Sequence, residues 1–214
     1  MATKADTGAL RGAKLVKKAL AAASAGGLFT APEPLAASLV KKLVLPNGEP
    51  ISAGMKALFL ADAEWIGIDY DDEEAEIEGT SLEEVVEEAF GEEAVAAFGE
   101  AYELLGDDVV YFGGELSRTT CLYCGTPDEV GEYPVLQLSW EDGVARVGGF
   151  VPFDIWLAQE LGALERGADI GTVPAAYAGL AQALADSNGD GRLVFTPKAG
   201  DAAESDEEDD EEDA

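Results

Sequence analysis

The chain has 214 residues, with 44 Asp or Glu against 13 Lys or Arg, and no histidine. That length suits one domain with terminal extensions, and a hydrophobic share of 47% supplies a core, which excludes a globally disordered chain. The lack of histidine excludes Ser-His-Asp, Cys-His and histidine-zinc sites, and the net charge of −31 disfavours direct nucleic-acid binding, which draws its affinity from clustered Lys and Arg.

Ala13, Val16, Leu20 and Ala23 recur at three- and four-residue steps, with Lys14, Lys17 and Lys18 on other faces, which predicts a short amphipathic helix ended by Gly26-Gly27. The Ala-rich run to Ala25 lacks the long apolar stretch of a secretory signal, and no apolar run reaches the roughly 18 residues of a membrane span. A cytoplasmic protein is expected. A second helix is predicted over Leu35–Leu45, stopping before the turn Pro46-Asn47-Gly48. Ser52 can cap a helix through Met55, Leu58 and Phe59. Trp65-Ile66-Gly67-Ile68 then leads into an acidic stretch read as a loop. Ser81 and Glu84 match a capping box, followed by an apolar stripe of Leu82, Val85, Val86 and Phe90, and Val95, Phe98, Tyr102 and Leu105 make another.

Beyond Gly106 the signals become those of strands: Val109–Phe112, a core at Leu122-Tyr123, and Val135–Trp140 alternating toward a turn at Asp142-Gly143 and a return through Val144–Val147. Pro152 to Leu164 and Pro174 to Leu184 read as helices. Helices, a meandering sheet and further helices make an α+β domain. Three segments are expected: a basic helix or arm over 1–27, the α+β domain over 28–198, and an acidic tail over 199–214. Ten acidic residues and no basic one lie in 201–214, so the tail repels itself and has too little apolar area to fold. Residues 1–60, by contrast, hold eight basic residues and three acidic ones.

Leu45-Pro46, the helix carrying Leu58-Phe59-Leu60, and Trp65-Ile66-Gly67 resemble the front half of the SMI1/KNR4-like (SUKH) superfamily. Gly131-Glu132-Tyr133-Pro134-Val135-Leu136, the hairpin at Asp142-Gly143, Phe150 and Phe153-Asp154-Ile155-Trp156-Leu157 resemble its second half, so the resemblance spans about 35–165. It implies a central, mostly antiparallel sheet flanked by helices. It also implies a non-enzymatic protein-binding role, many bacterial members being immunity proteins that neutralise toxins, often nucleases, and others adaptors or regulators. The basic N-terminal segment, the Cys-x-x-Cys and the acidic tail depart from that pattern.

Asp69, Asp71, Asp72, Glu73, Glu74, Glu76 and Glu78 are the candidate partner face, an acidic patch that docks in the basic cleft of a toxin. Its field speeds encounter and selects a positive partner, while affinity needs a desolvated anchor such as Trp65, Tyr70 or Tyr111. The same loop could simply be solvated, and its spacing fits no known metal site. All three aromatics also suit a core. Cys121 and Cys124 lack the further ligands of a zinc site and read as semi-buried thiols. Asp186-Ser187-Asn188-Gly189-Asp190-Gly191 opens like a calcium loop but places Pro197 where the bidentate Glu belongs, so a plain turn is the alternative. No acidic pair stands out as catalytic, so no enzyme activity, metal or cofactor is expected. The acidic tail could compete for basic clefts, pair with the Lys14-Lys17-Lys18 helix, or stay solvated. A high-salt habitat would explain the acidity without any partner.

Overall fold

A computed structural model describes residues 10–29, 31–98, 101–106, 109–112, 119–141, 144–165 and 174–187. Helix α1 (Ala13–Ala25) turns Leu15, Val16, Ala19, Leu20 and Ala23 inward, as the spacing predicts, and leaves Lys14, Lys17 and Lys18 in water. Helix α2 (Ala37–Val40) is a single turn, not the longer helix expected to Leu45. Pro46 biases the residue before it to extended backbone, and Val44 is used as a strand: its N–H donates to Ala75 O at 3.0 Å and its carbonyl accepts from Ile77 N at 2.9 Å. Those long-range bonds override the local helical spacing.

Helix α3 (Ala53–Phe59) starts at Ser52, whose hydroxyl accepts from Met55 N–H. The acidic stretch is a hairpin, not an open loop: β1 (Tyr70–Asp71) pairs antiparallel with β2 (Glu76–Ile77). Helix α4 (Leu82–Phe90) carries the expected capping box of Ser81 and Glu84, and α5 (Glu92–Phe98) and α6 (Ala101–Leu105) continue the apolar stripe. A four-stranded antiparallel meander follows: β3 (Val109–Tyr111), β4 (Thr120–Tyr123), β5 (Pro134–Glu141) and β6 (Val144–Pro152), in that order. Helix α7 (Phe153–Glu160) leaves β6 directly, and a 3-10 turn (Ala175–Tyr177) leads into α8 (Ala178–Ser187).

The pleat of the meander sorts its side chains between two cores. Val110, Leu122, Val135 and Val151 face one core with residues of α1, α2, α3 and α7. Val109, Cys121, Leu136, Leu138 and Val147 face another with residues of α4, α5, α6 and α8. The chain is therefore a mixed α+β fold with helices on both faces of its larger sheet. Register confirms a bulge: Gln137 pairs with Gly148 and Val135 with Val151, so Gly149 and Phe150 oppose Leu136 alone. Both have positive φ, 91° and 44°, and the extra residue turns Phe150 into the second core before Val151 rejoins the first. Among the described residues no helix is long and apolar enough to cross a membrane.

Candidate functional site

The hairpin places the predicted acidic residues as a group. Asp69, Asp71, Asp72, Glu73, Glu74 and Glu78 are exposed, and Glu76 is half-buried. Asp71 sets the turn itself, because its Oδ1 accepts from the N–H groups of Glu73 and Glu74, each at 2.8 Å. Ala75 closes the turn with a φ of 60° and is buried. The base is fixed to the body by the two bonds of Val44 and by Tyr70, whose ring meets Phe59 edge-on at 6.3 Å. Burial, and then the charges of Glu64, Asp72 and Glu33, push the Tyr70 phenol pKa up.

Beside the hairpin runs a groove of about 560 Å³, lined by Gly67, Asp69, Glu78, Thr80, Glu84, Glu88 and Tyr111 among others. Glu84 accepts from Thr80 Oγ1 at 2.7 Å and from the Ser81 backbone and hydroxyl, and these bonds hold its carboxyl below the usual range. Burial first, and then Glu88, raises the Tyr111 phenol. Trp65, Tyr70 and Tyr111 are each half-buried: Trp65 and Tyr70 pack against the first core and Tyr111 against the second, and each keeps part of its surface in water. Trp65 packs on Phe29, with ring centroids 5.8 Å apart.

A second acidic group lies inside the fold, apart from every candidate site that the sequence raises. Asp154 at the start of α7, Asp128 before β5, and Glu132 are all buried. Arg11, in the segment leading to α1, donates from Nε to Asp154 at 2.8 Å and from Nη2 to Asp128. Burial opposes the guanidinium charge, but the hydrogen bonds and charges of Asp154 and Asp128 outweigh it and raise its pKa. Gly12 N–H also donates to Asp154. Glu132 accepts from Ser52 Oγ at 2.7 Å and Gly54 N–H at 2.8 Å, and Tyr177 donates to the Glu132 carbonyl at 2.6 Å. Burial, with help from Asp154 and Asp128 and against the Ser52 and Gly54 bonds, pushes the Glu132 carboxyl up to about 7. Arg11 is ion-paired with both Asp128 and Asp154. The signal for this cluster was an acid set inside an apolar run, Phe153-Asp154-Ile155-Trp156, and a Glu between Gly131 and Tyr133.

Cys121 and Cys124 are fully buried, more so than expected, and they face opposite cores. Burial raises the Cys121 thiol to about 12, far from the thiolate that redox or metal chemistry needs. No group of three or more Cys, Asp or Glu suited to a metal occurs among the described residues. The calcium-loop reading falls largely outside them: α8 runs through Asp186 and Ser187, and positions 188–191 are not described, nor is the acidic tail. Comparisons of the chain with family models, with curated proteins and with solved structures find no significant match.

Proposed function

We propose that this chain is a non-enzymatic protein-binding module of the SMI1/KNR4-like type, most concretely an immunity protein that masks the basic cleft of a nuclease-type toxin. The observation that carries this reading is the 70–77 hairpin: its carboxylates project into water from a turn that Asp71 and the Val44 bonds hold in one shape. A fixed array of like charge attracts a basic surface over about a Debye length and loses little entropy on docking. The acidic groove beside it extends the same field. Exposed ion pairs contribute only about 0–1 kcal/mol each, so the half-buried Trp65 and Tyr70 supply the apolar contact.

The test is capture of partners with the full chain and with D71N/D72N/E73Q/E74Q/E76Q, followed by association kinetics at low and high salt. Asn at 71 keeps the oxygen that accepts from residues 73 and 74. The proposal expects a basic nuclease whose activity is inhibited, and an association rate that falls about tenfold or more on charge removal at low salt. A rate that stays within about twofold of the unmodified chain defeats steering by this hairpin. A partner without toxic activity moves the reading to a regulatory or scaffold adaptor.

A further inference from the structure

Charge is divided between two sides of the fold. Helices α1 and α3 pack on each other and carry four lysines, Lys14, Lys17, Lys18 and Lys56, and not one acid. Lys14, Lys17 and Lys18 stand at i, i+3 and i+4, so they share one face of α1, and all three are exposed. The hairpin at 70–77 and helix α4 carry the opposite charge, with Asp71, Asp72, Glu73, Glu83, Glu84 and Glu87 all in water.

Where the chain leaves the described fold decides what can reach those lysines. Tyr177, just before α8, donates to the Glu132 carbonyl at 2.6 Å. Glu132 in turn accepts from Gly54 N–H at the start of α3 and lies against Gly12 at the start of α1, where an added Cβ would meet its Oε1 at 3.4 Å. The starts of α1, α3 and α8 thus meet at one residue, and Lys14, Lys17 and Lys18 all lie in the first six residues of α1. The ten residues of α8 lead about 15 Å from that junction to Ser187. Residues 188–200 span up to about 45 Å at full stretch, so the segment 201–213, with ten acids and no base, has the lysines within reach.

We propose that the lysine face of α1 is a docking site for an acidic peptide, and that its occupant in the free chain is this chain's own segment 201–213. Charge complementarity selects the place: ten carboxylates are repelled by the hairpin and by α4 and drawn to the lysine side. Each exposed ion pair is weak. Tethering offsets that, because a short connecting span holds the segment at an effective concentration on the order of millimolar. A contact too weak to hold a separate peptide is therefore populated within one chain. The docked segment shields the cationic side of the molecule from other polyanions, phosphate backbones included. This contact is independent of any partner on the hairpin.

The experiment is zero-length carbodiimide coupling of lysine amines to carboxyl groups in the full chain, at about 10 mM and about 1 M salt, where the Debye length is about 30 Å and about 3 Å. An equal mixture of nitrogen-15-labelled and unlabelled chain separates links within one molecule from links between two. Mass spectrometry should find Lys14, Lys17 and Lys18 joined to 201–213 within one molecule. Per lysine these links should be at least about fivefold commoner than those of the exposed Lys41 and Lys42, and at least about fivefold rarer in the higher salt. Links spread within about twofold over all five lysines, or unmoved by salt, overturn the contact, because a tail in free collision gives the same result. Links that are mostly between two molecules, or that join α1 mostly to the hairpin acids, overturn the occupant. The amide signals of residues 13–25 give a second readout. Changing all ten acids of 201–213 to Asn or Gln should shift them at low salt, and shifts no larger than those of β5 and β6 overturn the contact.

Discussion

The hairpin and the Arg11 cluster use the same side chains for opposite ends. On the hairpin, Asp71 to Glu74 stand in water, and the one structural task among them, the Asp71 turn, is done by a hydrogen bond that needs no charge. In the cluster, Asp128, Asp154 and Glu132 are shut away from water, and each is satisfied by a named donor. A carboxylate in water interacts weakly with its neighbours and acts at long range through the summed field. A carboxylate removed from water is costly unless paired, and so becomes a fixed joint between segments. In a chain with 44 acids, position in the fold separates the two roles, and number does not.

The sharpest way to break this comparison is R11A. It strands two buried carboxylates, and urea unfolding should show a loss of about 3–5 kcal/mol. Adding D128N and D154N to R11A should recover part of that loss, because the stranded charges are then gone. If R11A costs no more than a surface substitution, the cluster is not the joint described above.

Gly54→Ala probes the same joint sterically. A Cβ there would lie 2.7 Å from Glu132 Oε2, so a thermal or urea melt should show a loss of about 1–3 kcal/mol from overpacking. The phenol of Tyr177 tests the far side: Y177F removes the 2.6 Å hydroxyl donor to the buried Glu132 carbonyl but leaves the Asp128 N–H donor at 2.8 Å, with an expected loss of about 0.5–1.5 kcal/mol in the same melt. On the acidic face, S81A removes the cap of α4 and should cost about 1 kcal/mol. Smallest of all, D72N/E73Q/E74Q should change stability by no more than about 0.5 kcal/mol while slowing association with a basic partner. A large stability loss there would mean that the hairpin acids are structural after all.

Much of the fold was legible because its signals are local. The 3.6-residue spacing of Val16, Leu20 and Ala23 gave α1, Ser81 with Glu84 gave the start of α4, and the alternation of Leu136, Leu138 and Trp140 gave one face of β5. The acidic residues proposed for partner binding are equally visible, being crowded into 69–78. What failed was long-range. The helix expected to Leu45 gives way to the pairing of Val44 with Ala75 and Ile77, and the hairpin's strands, only two residues each, are too short to show a strand period against a loop. The Arg11 cluster was missed for the same reason: Arg11 and Asp154 are 143 residues apart.

The sequence by itself determined the periodic elements, the excess of negative charge and the exclusion of histidine chemistry, since each depends only on composition or on neighbours within a turn or two. Only the tertiary structure decided which acids are wet and which are dry, that Cys121 and Cys124 sit on opposite sides of a sheet, and that one arginine near the N-terminus closes the cluster. Those outcomes depend on which distant segments exclude water together, and no local pattern encodes that.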